Sequence, residues 1–221
     1  VELITSYEEG KSVFGEDASG VYGMSTLLKF LFANGAGAVK AVAVGKDESE
    51  EKDYASAFAA LSDEEDVGVM VCDSAAQSVH LLLKTAAEDA SAARRERIAV
   101  IGGSEETVAQ MVNRAKAVNS ERVVLVGPDI ASDDGGTMSA VFAAAAVAAV
   151  IAGNTDPSVP INGAELTLFG AAGKRLSDNE IDQLVRGGVT PIETVGGVSS
   201  PVRGITTKTC LLYTSPSPRD M

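Results

Sequence analysis

The sequence is poor in the residues that build catalytic and metal-binding sites. Its 221 residues include one histidine, two cysteines and no tryptophan. Any Ser-His-Asp site would have to use His80, which we expect on the solvent-exposed polar face of a helix, so we predict no protease activity. Cys210 falls in a terminal stretch that we do not count with the fold. That leaves Cys72, predicted as a buried strand thiol, and excludes a disulfide framework or a cysteine-based metal site.

Basic residues and long apolar runs are also scarce. The formal net charge is −13, which argues against nucleic acid as a partner because Lys and Arg hold a phosphate backbone. We interpret the acidic runs at residues 47–53 and 63–66 as solvated loops and helix ends. The longest uncharged apolar run, residues 140–152, is mostly alanine and falls short of the roughly 20 residues that span a bilayer. We predict a buried helix there and no membrane insertion.

Short apolar runs alternate with amphipathic segments along most of the chain. Apolar residues make up 45% of it, enough to form a core. Strands are predicted at residues 1–4, 38–44, 67–72, 97–101 and 122–126, and the run at 38–44 suggests a strand covered on both faces. Helices are predicted at residues 7–14, 22–33, 53–61, 75–93, 105–118 and 137–152. This alternation is typical of right-handed βαβ crossovers, so the predicted fold class is α/β, with a mainly parallel sheet flanked by helices.

The C-terminal part of the chain predicts a loop, a capped helix and two strands. Ser177 and Glu180 have the spacing of a capping box. Gly187-Gly188 should end this helix, because glycine adopts the left-handed conformation without penalty. The β-branched composition of the following residues predicts strands at 189–195 and 202–208.

This change of pattern divides the chain into two expected domains. Residues 1–156 would form an α/β core domain, and residues 157–209 the start of a small, truncated α+β C-terminal subdomain. Residues 210–221 resemble a translated sequencing adapter, and we interpret them as a non-native scar. Because the chain begins without methionine, we expect an internal fragment of a longer protein.

A glycine turn raises the possibility of a phosphate site. Gly102-Gly103 follows a predicted strand and precedes a helix, which is where a Rossmann-type fold binds phosphate. The Gly-x-Gly-x-x-Gly spacing is absent, and Glu105 and Glu106 are predicted in the first turn of the helix. There they would stabilise the helix dipole and repel a phosphate, so helix capping explains the turn better.

Two further motifs lack the spacing that their chemistry needs. Residues 170–175 resemble a P-loop only loosely, with arginine where a magnesium-binding hydroxyl should stand. Asp129, Asp133 and Asp134 could gather calcium but miss the EF-hand pattern, and we interpret them as a polar loop. We therefore predict no catalytic, cofactor-binding or metal-binding residues.

The order of segments near the C-terminus resembles that of contractile-tail sheath proteins of bacteriophages. It has a Pro160-Ile-Asn-Gly loop, a helix followed by Gly188-Val-Thr-Pro-Ile, and a threonine-rich end, Ile205-Thr-Thr-Lys-Thr. Residues 149–157, which precede this region, are similar to the corresponding segment of that family. The resemblance covers residues 149–209 best and the rest of the chain loosely.

The resemblance implies a structural subunit without cofactor or catalytic residues. Copies of the protein would stack as rings around a tail tube and contract to drive the tube through the host envelope. It also implies tube, baseplate and tail terminator proteins as partners, a location in the virion tail, and assembly in the bacterial host cytoplasm. A free phage, a prophage and a phage-derived bacteriocin all remain open as the source.

The resemblance also bears on the chain ends. In that family, extended arms add strands to the sheets of neighbouring subunits. Residues 202–208 would then be a strand whose partner is partly absent, with weak protection against hydrogen exchange. The alternative to a sheath subunit is a Rossmann-like α/β enzyme that binds a small molecule or nucleotide, supported by the βαβ pattern and the Gly102-Gly103 turn.

Overall fold

The structure is a computed structural model that describes residues 1–18, 20–44, 50–132, 136–154, 159–168 and 175–209. Its first half contains β1 (Glu2–Ile4), α1 (Tyr7–Phe14), α2 (Met24–Ala33), β2 (Val39–Ala41), α3 (Glu50–Ser62), β3 (Val69–Val71) and α4 (Gln77–Ala92). Its second half contains β4 (Ile98–Gly102), α5 (Val108–Val118), β5 (Val123–Gly127), β6 (Ile130–Ala131), β7 (Thr137–Met138), α6 (Ala140–Gly153), α7 (Asp178–Arg186), β8 (Val189–Val195) and β9 (Val198–Pro201).

A mostly parallel sheet forms the centre of the fold. Within the described residues it has five strands in the order β3-β4-β5-β8-β9. The first four are parallel, and β9 returns antiparallel to β8. The predicted α/β fold class with a mainly parallel sheet is therefore confirmed. Because β8 pairs with β5, the C-terminal segment extends the same sheet. Residues 155–158, where we placed the domain boundary, lie outside the described part, and the division into two domains stays a prediction.

Helices cover both faces of the sheet because neighbouring strand residues point in opposite directions. On one face, α2 and α6 pack against Val100, Val124, Val126 and Ile192. On the other face, α3, α4, α5 and α7 pack against Ala99, Ile101, Val123, Leu125 and Val189. Each large side chain buried in these layers contributes about 1.5–3 kcal/mol of hydrophobic stabilisation.

The alanine-rich helix is buried, as predicted. Every residue from Ala140 to Ala149 in α6 is buried, and the small side chains let this helix lie close to both the sheet and α2. Cys72 is buried as predicted, just after β3. Of the helices in the described ranges, none is long and apolar enough to span a bilayer.

One predicted strand lies in an unexpected place and another is absent. The strand predicted at residues 38–44 is present as β2, but it pairs antiparallel with β1 and does not join the main sheet. A groove of about 540 Å³, lined mainly by aliphatic side chains, separates it from β3. Residues 202–208 do not form a strand. Instead the last strand lies earlier, at Val198–Pro201, because Gly196 and Gly197, with φ of 62° and 86°, turn the chain back directly after β8.

The predicted cap of α7 is present at both ends. The Ser177 Oγ accepts a hydrogen bond from the Glu180 backbone N at 3.4 Å, and Glu180 Oε2 accepts one from the Ser177 N at 2.8 Å. Gly188, with φ of 85°, supplies the left-handed residue that ends the helix. These contacts involve residues a few positions apart, which is why the sequence alone predicts them.

Candidate functional site

The carboxyl ends of parallel strands are where open α/β folds bind ligands. Here that edge, around Gly102 and Gly103, is filled by the protein's own groups. A Cβ on Gly102 would lie 2.2 Å from the backbone carbon of Ala140, and one on Gly103 would lie 2.2 Å from the Glu106 Oε2. The glycines therefore make room for the start of α6 and for a carboxylate, rather than for a bound phosphate.

Asp129 occupies the place that an anion would take. Its Oδ1 accepts a hydrogen bond from the Ala140 N at 2.8 Å, and its Oδ2 accepts one from the Glu105 N at 2.6 Å. The Ser139 Oγ donates to the Gly103 carbonyl at 2.7 Å and closes the same turn. The free N–H groups at the start of α6 are thus satisfied internally, which removes the main attraction for a phosphate.

The predicted role of Glu105 and Glu106 as residues of the first helical turn was wrong. α5 begins at Val108, because Thr107 and Gln110 form a capping box that sets the start of the helix. Glu105 lies before it with φ of 53°. Glu106 points back to α5 instead, and its Oε1 lies 2.8 Å from the Arg114 Nη2.

The prediction that His80 is exposed was also wrong. Its side chain is fully buried, with Nε2 2.9 Å from the Ser74 carbonyl oxygen and Nδ1 3.0 Å from the Arg114 Nη1. The expectation that His80 lies opposite the apolar side of α4 was wrong as well, because Leu83 and Ala87, three and seven positions later on the same face, are fully buried too. The polar residues beside it are engaged with other parts of the chain: Lys84 donates to the Val118 carbonyl, and Glu88 accepts from the Ser120 hydroxyl.

Burial lowers the pKa of His80 from 6.5 to about 4, with the nearby charge of Arg114 acting in the same direction and the bond to Ser74 opposing it. The imidazole is therefore neutral at neutral pH. No serine and carboxylate pair joins His80 in the arrangement of a protease triad among the contacts described. Its neighbours are a backbone carbonyl and a guanidinium, neither of which can act as a nucleophile.

The remaining candidates do not converge on a site. Asp129 serves the turn described above, whereas Asp133 and Asp134 lie outside the described residues, as do residues 170–174 of the loop that resembles a P-loop. Residues 47–49 of the acidic run and residues 210–221 also lie outside them. Among the side chains that the structure does describe, no three His, Cys, Asp or Glu residues are grouped to hold a metal ion.

Two threonine hydroxyls hold the C-terminal segment, a role that the sequence analysis missed. The Thr190 Oγ1 donates to the Ile205 carbonyl at 3.0 Å and accepts from its N at 3.1 Å. The Thr207 Oγ1 likewise donates to the Ser120 carbonyl and accepts from its N, both at 3.0 Å. Thr190 and Thr207 are fully buried. A threonine between apolar strand residues, as in Val189-Thr-Pro-Ile, could have indicated a buried hydroxyl that needs a hydrogen-bond partner.

Comparison with known proteins gives one consistent family. The family described as "Phage tail sheath protein central domain" matches residues 47–207. A tail sheath protein of Bacillus phage SP01 is 36% identical over 120 residues, which are 52% of this chain and 21% of that protein. This chain thus spans about a fifth of the length of that relative.

Solved sheath structures share the fold. The sheath tail protein from Desulfitobacterium hafniense has a TM-score of 0.61 at 15% identity. The match covers 79% of this chain and 39% of that protein's chain. The helical sheath of the anti-feeding prophage in its contracted state has a TM-score of 0.64 at 12% identity. The match covers 90% of this chain and 55% of that protein's chain. At these identities the likeness establishes a common fold.

Proposed function

Because this chain belongs to the phage tail sheath protein family, we propose that it is part of the structural subunit of a contractile tail sheath. The complete subunit polymerises around a tail tube and contracts to drive the tube through the host envelope. The match of residues 47–207 to the central domain of the family carries this proposal, and the shared fold of the solved sheath proteins supports it.

The chemistry of the described residues agrees with a structural role. The proteins that this chain matches are named as sheath proteins, which are structural, so the chain is not an enzyme. The carboxyl edge of the sheet is filled by Asp129 and the start of α6. The nucleotide-binding alternative rested on the βαβ pattern and the Gly102-Gly103 turn. The turn is explained by packing, and the α/β pattern is shared by solved sheath proteins, so neither feature favours it.

Copies of the same chain are the first proposed partner. The anti-feeding prophage protein forms a helical sheath, and another structure of that system is a baseplate. We assign this chain the same kinds of partner, together with tube and tail terminator proteins, a location in the virion tail, and assembly in the host cytoplasm. Exposed apolar side chains at the β8–β9 turn, with Val195 68% exposed, are of the type that subunit packing covers.

Electron microscopy of the complete gene product tests this function. Produced with its tube protein, it should form striated tubes with a wide outer diameter, and without the tube protein it should form fewer or shorter ones. A complete protein that stays monomeric under both conditions would contradict the proposal.

A thermal-shift screen with nucleotides serves as the control for the alternative. A ligand at a hundred times its dissociation constant would stabilise the fold by about 2.7 kcal/mol. We expect no shift. A reproducible shift that Gly103→Ala abolishes would favour the nucleotide-binding function instead.

A further inference from the structure

The buried imidazole of His80 joins parts of the molecule that meet only in the folded state. Its Nε2 lies 2.9 Å from the Ser74 carbonyl oxygen, which can only accept, so Nε2 carries the proton. Its Nδ1 lies 3.0 Å from the Arg114 Nη1, which can only donate, so Nδ1 must carry the lone pair. The two neighbours therefore require one neutral tautomer of the ring.

Arg114 is held in place by three further contacts. Its Nε donates to the Glu106 Oε1 at 2.9 Å, its Nη2 lies 2.8 Å from the same oxygen, and its Nη1 donates to the Ala75 carbonyl at 3.0 Å. Because the side chains of Arg114 and Glu106 are both mostly buried, the guanidinium has little freedom to move away from His80.

Other charged groups near this cluster are engaged elsewhere. On α4, Lys84 donates to the Val118 carbonyl and Glu88 accepts from the Ser120 hydroxyl. On the loop after β3, Asp73 accepts from the Tyr54 hydroxyl. Arg114 from α5 and Glu106 from the turn before α5 are thus the charged side chains that act on His80, and the cation is the nearer of the two.

We propose that His80 and Arg114 form an acid-sensitive latch between the start of α4 and α5. A proton bound at Nδ1 removes the acceptor of the Arg114 hydrogen bond and places two cations 3.0 Å apart in a buried site. Separation of the start of α4 and the loop before it from α5 relieves this contact, while the central strands stay paired. This inference is independent of the proposed sheath role, because it concerns the isolated chain.

The sign and size of the effect follow from the pKa of His80, which burial lowers from 6.5 to about 4. The closed form holds the imidazole neutral, so its stabilisation is complete above pH 6.5 and declines as the pH falls toward 4. If the opened form restores the ordinary value, the latch opens about 20-fold more often at pH 5 than at pH 7. Freely exposed carboxylates, with a pKa near 4, stay largely ionised at pH 5.

Two measurements on the 221-residue chain test the latch. Because the chain contains one histidine, NMR of the ring protons follows His80 without ambiguity, and its titration midpoint should lie well below 6.5. Hydrogen exchange, normalised to the intrinsic rate at each pH, should show a loss of protection of about 20-fold between pH 7 and pH 5 in residues 80–83 and 111–114, where the hydrogen-bonded amides of the two helices begin. Residues 123–127 of β5 should change much less.

His80→Gln is the matched control, because a glutamine amide can donate to Ser74 and accept from Arg114 but does not titrate in this range. Its protection at residues 80–83 should be nearly the same at both pH values. An equal loss of protection in the variant and the unmodified chain would overturn the latch. So would a midpoint near 6.5 for His80 in the unmodified chain, a result that does not depend on how the variant folds.

Discussion

Thr207→Val tests whether one hydroxyl group holds the C-terminal segment to the sheet. Thr207 is fully buried, and its Oγ1 both donates to and accepts from the backbone of Ser120 at 3.0 Å. Valine has nearly the same shape, so the substitution removes the two hydrogen bonds without opening a large cavity.

The expected cost follows from what each backbone group of Ser120 keeps. Its carbonyl retains the hydrogen bond from the Lys208 N at 3.1 Å. Loss of the bond from the Thr207 hydroxyl to this carbonyl therefore lowers the free energy of unfolding by about 1 kcal/mol. Its N–H loses its partner inside a buried site, which costs about 2 kcal/mol. The added methyl group returns up to about 0.8 kcal/mol. We expect a net loss of about 2 kcal/mol in the free energy of unfolding.

Chemical denaturation of the variant and the unmodified chain measures this difference. Thr206→Val is the matched control, since Thr206 is only partly buried and its hydroxyl has no hydrogen bond to a described residue. It should change stability by less than about 0.5 kcal/mol. The amide of Thr207 donates to the Val123 carbonyl at 2.8 Å. In place of the weak protection expected for an unpaired strand at residues 202–208, this amide should be protected in the unmodified chain and less so in Thr207→Val. Equal stabilities of the two variants would refute the reasoning.

Four other substitutions are predicted to reduce stability, each measured by the same denaturation. Gly102→Ala should cost about 3 kcal/mol because its methyl meets the Ala140 backbone. Gly103→Ala should cost about 2 kcal/mol because it displaces the Glu106 carboxylate, which is paired with Arg114 but can shift further than backbone can; equal costs would contradict this. Arg97→Met should cost about 2 kcal/mol, since the buried guanidinium donates to carbonyl groups at the end of α3, and an unchanged midpoint would argue against it. Ser177→Ala should cost about 1 kcal/mol through loss of the α7 cap, and Ser177→Thr should restore most of it.

Local patterns were the successful part of the sequence reasoning. The apolar runs at 97–101 and 122–126 became the central strands β4 and β5, because a buried strand needs apolar residues on both faces. The helix faces were identified by their 3.6-residue period. The family resemblance, read from residues 149–209, agrees with the match over residues 47–207.

The wrong predictions have related causes. In each case a contact with a distant residue, or a stronger local signal, decided the structure. His80 was expected on the polar side of α4, but it lies on the buried face of that helix and contacts Arg114, 34 positions later in the chain. Residues 202–208 have strand composition, yet the Gly196-Gly197 turn had already placed β9 beside β8. The start of α5 moved to Val108 because the Thr107 capping box was stronger than the two glutamates before it.

By itself the sequence determined the type and order of most of the helices and central strands, and with them the fold class and the family. Helix periods, apolar runs and caps depend on residues a few positions apart, so they can be recognised in the sequence alone. Only the tertiary structure decided which polar groups are buried and which atoms they meet. Thr207 reaches Ser120 across 87 positions, and Asp129 meets the start of α6 only because the chain folds back on the sheet. Such contacts depend on where distant segments lie, and no spacing within one segment encodes that.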